Sequence, residues 1–294
     1  PAIDQMLSSA GAIVLRGFPI NRSADFARVT KSYRPFEQGY LGGGEARKTV
    51  VGHVMTAGAL RSDLFIEPHQ EMSYLPNFPK ILSFYCRMAP VTGGATMLCD
   101  MREVSARIDP VLFNTVAEKQ IHYVRNYRAP GTVASHPLIG QYHKTWMENF
   151  NTKDPAEAEA ACRALGFEPH WRDDGALEAT YTNPGVIAHP HTGEQIWFNQ
   201  LATFVHTPRT NAALHQAFTD AYKPGEPQPL TTTYGDGTKI PVEQIEPIVA
   251  LQREFSVTFP RNHGDVMLID NYLVGHGRTP YTGRRDIQVA LLGG

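Results

Sequence analysis

Pro68-His69-Gln70-Glu71-Met72-Ser73-Tyr74 is the stretch from which both a fold and a chemistry are predicted. Side chains two residues apart on an extended strand point to the same face, so His69 and Glu71 are predicted to project together into one cavity. An imidazole and a carboxylate supply two of the three ligands of a 2-His-1-carboxylate site, which suits non-haem Fe(II). A His-x-Glu pair alone is more typical of a solvated strand edge, so the prediction requires a third ligand elsewhere in the chain.

A second stretch, residues 264–291, supplies that ligand. Gly264 and Asp265 predict a turn, and the apolar run after them predicts a buried strand. His276 lies in a polar, glycine-flanked segment between this strand and the final one, which Arg285 opens. A guanidinium is a planar fork that fits a carboxylate with two hydrogen bonds. The two stretches together predict a metal centre with an arginine for an anionic ligand beside it.

Composition limits the classes of protein to which the chain can belong. Its 294 residues are 42% hydrophobic and 19% charged, which is typical of a globular chain with one large core, and a single domain over 1–294 is expected. A net charge of −2 gives no reason to expect nucleic acid or an anionic membrane as a partner. Apolar runs fall short of the roughly 20 residues that span a bilayer. The first residues show no export leader, and an odd number of cysteines without metal-finger spacing argues against disulfides, so a cytoplasmic location is expected.

Short apolar strands separated by Gly and Pro turns, with a few flanking helices, predict a mainly β jelly-roll barrel. Such a barrel would bring a strand near residue 70 beside one near residue 276. Residues 129–180 interrupt this pattern with two helical periodicities and are predicted to be a helical insertion. Residues 39–44 are rich in glycine but lack the Gly-Lys-Ser/Thr ending of a phosphate-binding loop, and a plain loop near the mouth of the site is favoured.

These features resemble one family, the TauD/TfdA-type Fe(II)/2-oxoglutarate-dependent oxygenases, and within it the SyrP-like and clavaminate-synthase-like branch. The resemblance covers residues 11–292 and is specific because its segments occur together and in order. The segments are 11–18, 69–74, 93–96, 197–200 and 276–285.

The resemblance implies a double-stranded β-helix and three cofactors, Fe(II), 2-oxoglutarate and O2. It implies that the metal ligands, which are also the catalytic residues, are His69, Glu71 and His276. It also implies that Arg285 and Thr96 hold the distal carboxylate of 2-oxoglutarate, with Arg284 a less favoured alternative to Arg285. From the residues alone, Thr96 is more typical of an ordinary β-branched strand residue.

The substrate implied by the resemblance is an amino acid or an amino-acid-derived small molecule, free or tethered to a carrier protein, in specialised metabolism. Hydroxylation of an unactivated C–H bond with release of succinate and CO2 is the expected outcome, with desaturation, cyclisation or epoxidation as alternatives. The polar residues expected around the substrate are Gln70, Ser73, Arg125, Asn199 and Arg278. An arginine on an interior strand needs an acidic partner, which for Arg125 is either a substrate carboxylate or a structural Asp or Glu.

Two other classes of protein are compatible with the same residues. A zinc hydrolase also uses three protein ligands, two of which can be histidines and one a glutamate. It would not need an arginine nine positions after His276. A barrel that binds a small molecule without catalysis is the other alternative. The oligomeric state is left open by the sequence.

Overall fold

The computed structural model describes residues 2–37, 47–58, 61–134, 136–140 and 142–293, so the glycine-rich stretch 39–44 lies outside the described residues. The helices are α1 (Ala2–Ala10), α2 (Ser23–Thr30), α3 (Met101–Ser105), α4 (Pro110–Lys119), α5 (Pro137–Gly140), α6 (Trp146–Phe150), α7 (Pro155–Ala164), α8 (Leu201–Phe204), α9 (Pro208–Ala221) and α10 (Val242–Glu254). The strands are β1 (Ala12–Leu15), β2 (Thr49–Val51), β3 (Val54–Thr56), β4 (Ile66–His69), β5 (Ile81–Met88), β6 (Thr92–Gly93), β7 (Thr96–Asp100), β8 (Ile121–Tyr127), β9 (Glu168–Trp171), β10 (Leu177–Asn183), β11 (Val186–Ala188), β12 (Gln195–Trp197), β13 (Leu230–Tyr234), β14 (Ser256–Phe259), β15 (Val266–Asp270), β16 (Val274–Arg278), β17 (Tyr281–Thr282) and β18 (Asp286–Leu292).

Two antiparallel sheets enclose the core. One has six strands in the order β1-β15-β5-β18-β3-β2, and the other has four in the order β14-β7-β16-β4. Met267 and Ile269 of the first sheet pack in the same buried cluster as Cys99 and Val274 of the second. Two antiparallel sheets that share an apolar core form a jelly roll, so the predicted mainly β, double-stranded β-helix fold is confirmed.

The outer face of the six-stranded sheet is covered by the first two helices. Val266 and Leu268 point to this face and pack with Leu7 of α1 and Phe26 of α2. Because both faces of the sheet are covered, every residue of β15 is buried. This double burial explains why β15 reads as a continuous apolar run and does not alternate.

A third sheet, in the order β13-β8-β10-β9, extends the molecule beside the barrel. The predicted helical insertion at 129–180 contains α5, α6 and α7, and Asp154 caps α7 by accepting a hydrogen bond from the Ala156 backbone at 2.9 Å. The same segment also forms β9 and the start of β10, which pair with each other, and β10 pairs in turn with β8.

Two local predictions at the metal stretch are wrong. Strand β4 ends at His69, and Glu71 lies in the following turn, where Met72 adopts a positive φ of 56°. The backbone N–H of Glu71 is bound by a side chain, which ends the strand ladder. His276 is likewise not in a connecting segment but in the middle of β16, which pairs on one side with β4 and on the other with β7.

Cys86, Cys99 and Cys162 are all buried free thiols. Across the described ranges, none of the helices combines the length and the apolar character needed to cross a membrane.

Candidate metal centre and adjoining pockets

Two histidines from distant parts of the chain meet across one strand pair. His276 of β16 is the direct cross-strand partner of His69 of β4, and the centroids of their rings are 4.6 Å apart. The strands approach unusually closely at the next residue, because a Cβ on Gly277 would lie 2.4 Å from the carbonyl oxygen of Ile66. The glycine beside His276 is therefore a requirement of strand packing.

Glu71 reaches the histidines from its turn, which Asn271 holds in place. The Asn271 side chain accepts a hydrogen bond from the Glu71 N–H at 2.7 Å and donates to the carbonyls of Glu71 at 2.9 Å and Pro79 at 2.8 Å. The Glu71 carboxylate lies 3.3 Å from Nε2 of His276. One ligand atom from each of His69, Glu71 and His276 lies within 4.8 Å of the others, so the three could hold a metal ion.

The electrostatic environment keeps His69 and Glu71 in the forms that bind metals. Burial, followed by the nearby His276, lowers the pKa of His69 to about 4, so this imidazole is neutral at pH 7. Burial alone would raise the pKa of Glu71, but Arg47 and the two histidines together hold it well below its usual range. Neutral imidazoles and an ionised carboxylate are the forms that ligate.

Hydrogen bonding also leaves suitable nitrogen atoms for a metal. Nδ1 of His69 lies 2.9 Å from the carbonyl of Glu67, which assigns its proton to Nδ1 and leaves the Nε2 lone pair available. Nδ1 of His276 is buried without a hydrogen-bond partner among the described residues. Two imidazole nitrogens and one carboxylate form the donor set that Fe(II) takes in non-haem oxygenases, so the residues fit this ion.

Arg47 is a residue of this centre that the sequence did not reveal. Its Nη2 lies 3.3 Å from each carboxylate oxygen of Glu71, and both side chains are almost completely buried. No motif surrounds Arg47 in the sequence, and its position depends on a contact between residues 24 apart. Nothing local could have identified it.

Thr96 is the first residue of β7, and Arg285 immediately precedes β18. Thr96 on β7 is buried and is paired with Arg278 of β16 on one side and Phe259 of β14 on the other. Arg285 is half-buried, its Nε has no hydrogen-bond partner among the described residues, and burial, followed by Arg278, lowers its pKa to about 10. Arg284, in contrast, is exposed. Of the two arginines, only Arg285 has a buried nitrogen atom without a hydrogen-bond partner among the described residues.

Three of the residues predicted to surround the substrate already bind backbone atoms. Asn199 donates to the Gly185 carbonyl at 2.8 Å and accepts from the Leu201 N–H at 3.0 Å. Gln70 donates to the Tyr272 carbonyl at 2.8 Å, although its Oε1 has no partner in the described structure. Arg278 donates to the carbonyls of Arg61 at 2.6 Å and Leu64 at 3.1 Å. Their geometry points first to a structural role in fixing loops.

Arg125, in contrast, lies among tyrosines on one face of the third sheet. Tyr123, Arg125 and Tyr127 alternate along β8 and so share a face, and Tyr181 of β10 is the cross-strand partner of Tyr123. The Arg125 guanidinium lies 5.5 Å from the ring centroid of Tyr74 and 5.6 Å from that of Tyr127.

The tyrosines near Arg125 supply hydroxyl groups as well as apolar rings. The hydroxyls of Tyr123, Tyr127 and Tyr181 are buried and have no hydrogen-bond partner in the described ranges, and neither has Oγ of Ser73. Burial raises the pKa of Tyr127 to about 12, so its phenol stays protonated and can donate. The alternation of Tyr123, Arg125 and Tyr127 was visible in the sequence, but the contribution of β10 was not.

Comparison with known proteins agrees with this architecture. The family model described as "Taurine catabolism dioxygenase TauD, TfdA family" matches residues 1–291. Dapdiamide synthesis protein DdaC of Enterobacter agglomerans is 30% identical over 290 residues, which cover 99% of this chain and 84% of that protein. A clavaminate synthase-like protein of Arabidopsis thaliana is 30% identical over 293 residues, which cover 98% of this chain and 83% of that protein. The crystal structure of PvcB from Pseudomonas aeruginosa shares the fold with a TM-score of 0.51 at 13% identity, over 100% of this chain and 79% of that one.

Proposed function

The chain belongs to the TauD/TfdA family of Fe(II)- and 2-oxoglutarate-dependent dioxygenases, and from that membership we propose that it oxidises an unactivated C–H bond of an amino acid or amino-acid-derived small molecule. Its cofactors are Fe(II), 2-oxoglutarate and O2, and its substrates are small molecules. The zinc-hydrolase and binding-module interpretations are therefore set aside. Hydroxylation is the proposed outcome.

The proposed metal ligands are His69, Glu71 and His276. The convergence of their ligand atoms within 4.8 Å supports this assignment. When bound, the iron with its co-substrate and O2 supplies an oxidant strong enough to remove hydrogen from carbon, while 2-oxoglutarate is converted to succinate and CO2. The protein contributes a rigid site, because both the strand pair and the Asn271 contacts fix the ligands before the metal arrives.

For the distal carboxylate of 2-oxoglutarate we propose Arg285 and Thr96. Burial without a hydrogen-bond partner at Nε of Arg285 supports this assignment, since a buried donor normally finds an acceptor. The exposure of Arg284 makes it the weaker candidate.

The proposed substrate class rests on the residues around Arg125. One guanidinium beside buried tyrosine hydroxyls is a set of donors that suits a carboxylate, and the rings of Tyr74 and Tyr127 add apolar walls. An amino acid combines such a carboxylate with a short apolar body. A carrier-bound amino acid has its carboxyl group in a thioester, so this surface favours a free carboxylate over a tethered substrate. The role of DdaC in dapdiamide synthesis is consistent with a place in specialised metabolism.

The ligand assignment is tested by calorimetric titration of Mn(II) into the metal-free full chain. Glu71→Ala and His276→Ala are expected to weaken binding by at least about 100-fold, because one of three protein ligands is lost. His170→Ala removes an exposed histidine and serves as the matched control. Unchanged affinity in either ligand variant would contradict the assignment.

The substrate class is tested by measuring succinate in reactions with Fe(II) and 2-oxoglutarate. The panel contains free amino acids, their amides and the same amino acids as carrier-protein thioesters. At least one free amino acid or carboxylate-bearing derivative is expected to stimulate succinate formation, and Arg125→Met is expected to abolish that stimulation. Arg22→Met, at a highly exposed arginine, is the control. Stimulation by thioesters or amides alone would refute recognition of a free carboxylate, and no stimulation by the whole panel would refute the substrate class.

A further inference from the structure

A second buried guanidinium, that of Arg261, lies beside the pocket assigned to 2-oxoglutarate. Arg261 follows β14 and is only 6% exposed. Its Nη1 donates to Oγ1 of Thr96 at 3.3 Å, and its Nη2 donates to the carbonyl of Phe84 at 2.8 Å. The same threonine hydroxyl that we assign to the co-substrate is thus already in contact with an arginine other than Arg285.

The contacts of Arg261 in the described structure are all with uncharged groups. Besides the hydroxyl and the carbonyl, Nη1 lies 3.6 Å from Sδ of Met267, and Nε has no hydrogen-bond partner among the described residues. Asp265 is the nearest acid that influences it, but the Asp265 carboxylate binds Arg16 at 2.8 and 2.9 Å. Within the described ranges no carboxylate lies at ion-pair distance from Arg261. A buried charge without a paired anion is costly, and such a residue persists where an anion is to be bound.

Arg285, which immediately precedes β18, interacts electrostatically with Arg261. Cys86 of β5 is paired with Ile287, two residues after Arg285, and its thiol interacts electrostatically with both arginines. Burial, as the largest cause, lowers the pKa of Arg261 to about 10, as it does that of Arg285, and Arg261 is among the cations that lower the pKa of Arg285 further. An anion placed between them would relieve both the desolvation and the repulsion.

We propose that Arg261 is a second binding residue for the distal carboxylate of 2-oxoglutarate, which it holds together with Arg285 and Thr96. The inference rests on the proposed assignment of those two residues to the co-substrate. With one guanidinium on each side, the pocket selects 2-oxo acids that carry a second carboxylate over those that end in a methyl group. Arg261 is a binding and specificity residue, since it lies on the co-substrate side of the centre.

The test compares two ligands of equal chain length on the Mn(II)-loaded full chain. 2-Oxoglutarate and 2-oxopentanoate differ only in the distal carboxylate, and calorimetry or ligand-induced thermal stabilisation gives their affinities without turnover. Arg261→Met is expected to weaken 2-oxoglutarate by about 10- to 100-fold, the cost of a hydrogen bond to a charged group, and to leave 2-oxopentanoate within about twofold. Arg284→Met, at the exposed neighbour of Arg285, is expected to change neither.

The outcomes separate the inference from the assignment beneath it. An equal loss for both ligands, or no loss for either, in Arg261→Met would mean that Arg261 only supports the Phe84 backbone, and the inference would be overturned. If Arg285→Met retains full affinity for 2-oxoglutarate, the assignment of Arg285 itself fails. Arg261→Gln removes the charge but keeps a polar side chain, and it replaces the methionine variant if that variant does not fold. For it a loss confined to 2-oxoglutarate supports the inference, and any other result contradicts it.

Discussion

Tyr123 and Tyr85 are two fully buried tyrosines that differ in one hydrogen bond. The Tyr85 hydroxyl donates to the Ile20 carbonyl at 3.3 Å, whereas the Tyr123 hydroxyl has no partner among the described residues. Removing an unsatisfied buried hydroxyl is neutral or stabilising, while removing a satisfied one costs about 0.5–1.5 kcal/mol. If the Tyr123 hydroxyl is reserved for a substrate, its loss should leave the free protein intact.

We therefore expect Tyr123→Phe to leave the free energy of unfolding of the substrate-free protein unchanged or to raise it. Tyr85→Phe, the matched control, should lower that free energy by about 1 kcal/mol. Urea denaturation followed by fluorescence measures both. A loss in Tyr123→Phe as large as that in Tyr85→Phe would show that the hydroxyl stabilises the fold and is not held for a ligand.

At the level of single residues, the sequence predicted the three candidate ligands but not their neighbours. His69, Glu71 and His276 belong to short motifs with recognisable chemistry. Arg47 and Arg261 reach the site only through tertiary contacts, at 24 residues from Glu71 and 165 residues from Thr96. Local pattern carries no information about such pairs.

The pairing of β4 with β16 is the element on which the metal centre depends. Gly277→Ala would place a Cβ 2.4 Å from the Ile66 carbonyl, so the strands must separate and the opposed histidines with them. Gly275→Ala, two residues earlier on the same strand, meets its nearest atom at 3.4 Å and is the matched control. We expect Gly277→Ala to lower both Mn(II) affinity and the unfolding temperature, and Gly275→Ala to change them much less. Equal effects of the two substitutions on Mn(II) titration would contradict this account.

The turn that carries Glu71 depends on the amide of Asn271. Asn271→Asp conserves shape but replaces two donated hydrogen bonds with contacts between a carboxylate and the carbonyls of Glu71 and Pro79. A loss of about 3 kcal/mol or more in the free energy of unfolding is expected, because a charged acceptor would face buried acceptors. Asn262→Asp, at an exposed asparagine, is the control. Chemical denaturation measures the free energy of unfolding of both variants. A loss of that free energy in Asn271→Asp no larger than in the control would refute the role of this amide.

At the level of elements, short apolar strands separated by Gly and Pro turns predicted the barrel, but the predicted ends of elements were less accurate. The sequence predicted one strand through His69 and Glu71, yet the Asn271 side chain binds the Glu71 backbone and ends that strand early. The polar, glycine-flanked segment around His276 is a central strand for a similar reason. Its glycines lie where a neighbouring strand approaches closely, and the local sequence does not show that strand.

The molecule as a whole contains a buried histidine, His143, and a partly buried histidine, His206, which make its stability sensitive to acid. Burial is the largest cause that lowers the pKa of His143 and of His206 to about 4, and nearby cations, Arg128 and Arg172 for His143, lower it further. The unfolded chain therefore binds protons near pH 6.5 that the folded chain does not bind until about pH 4. These histidines therefore cost no stability above about pH 6.5, and the free energy of unfolding falls as the pH decreases from there towards 4.

Urea denaturation of the metal-free protein at pH 7 and pH 5.5 tests this prediction. We expect a lower midpoint at pH 5.5 and a smaller difference in His206→Gln, whose side chain does not titrate. His170→Gln, at an exposed histidine, should retain the full difference. A midpoint that is the same at both pH values in the unsubstituted protein would contradict the prediction.

The hydrogen bonds between Asn271 and Glu71 also determine when the candidate metal site can form during synthesis. The two residues are 200 positions apart, and the histidine partner of His69 follows five residues later. A nascent chain that has emerged only as far as the third sheet therefore possesses one imidazole and one unconstrained carboxylate, with no cradle for a transition metal. With His69, Glu71 and His276 as the proposed ligands, iron can bind only after most of the polypeptide has left the ribosome.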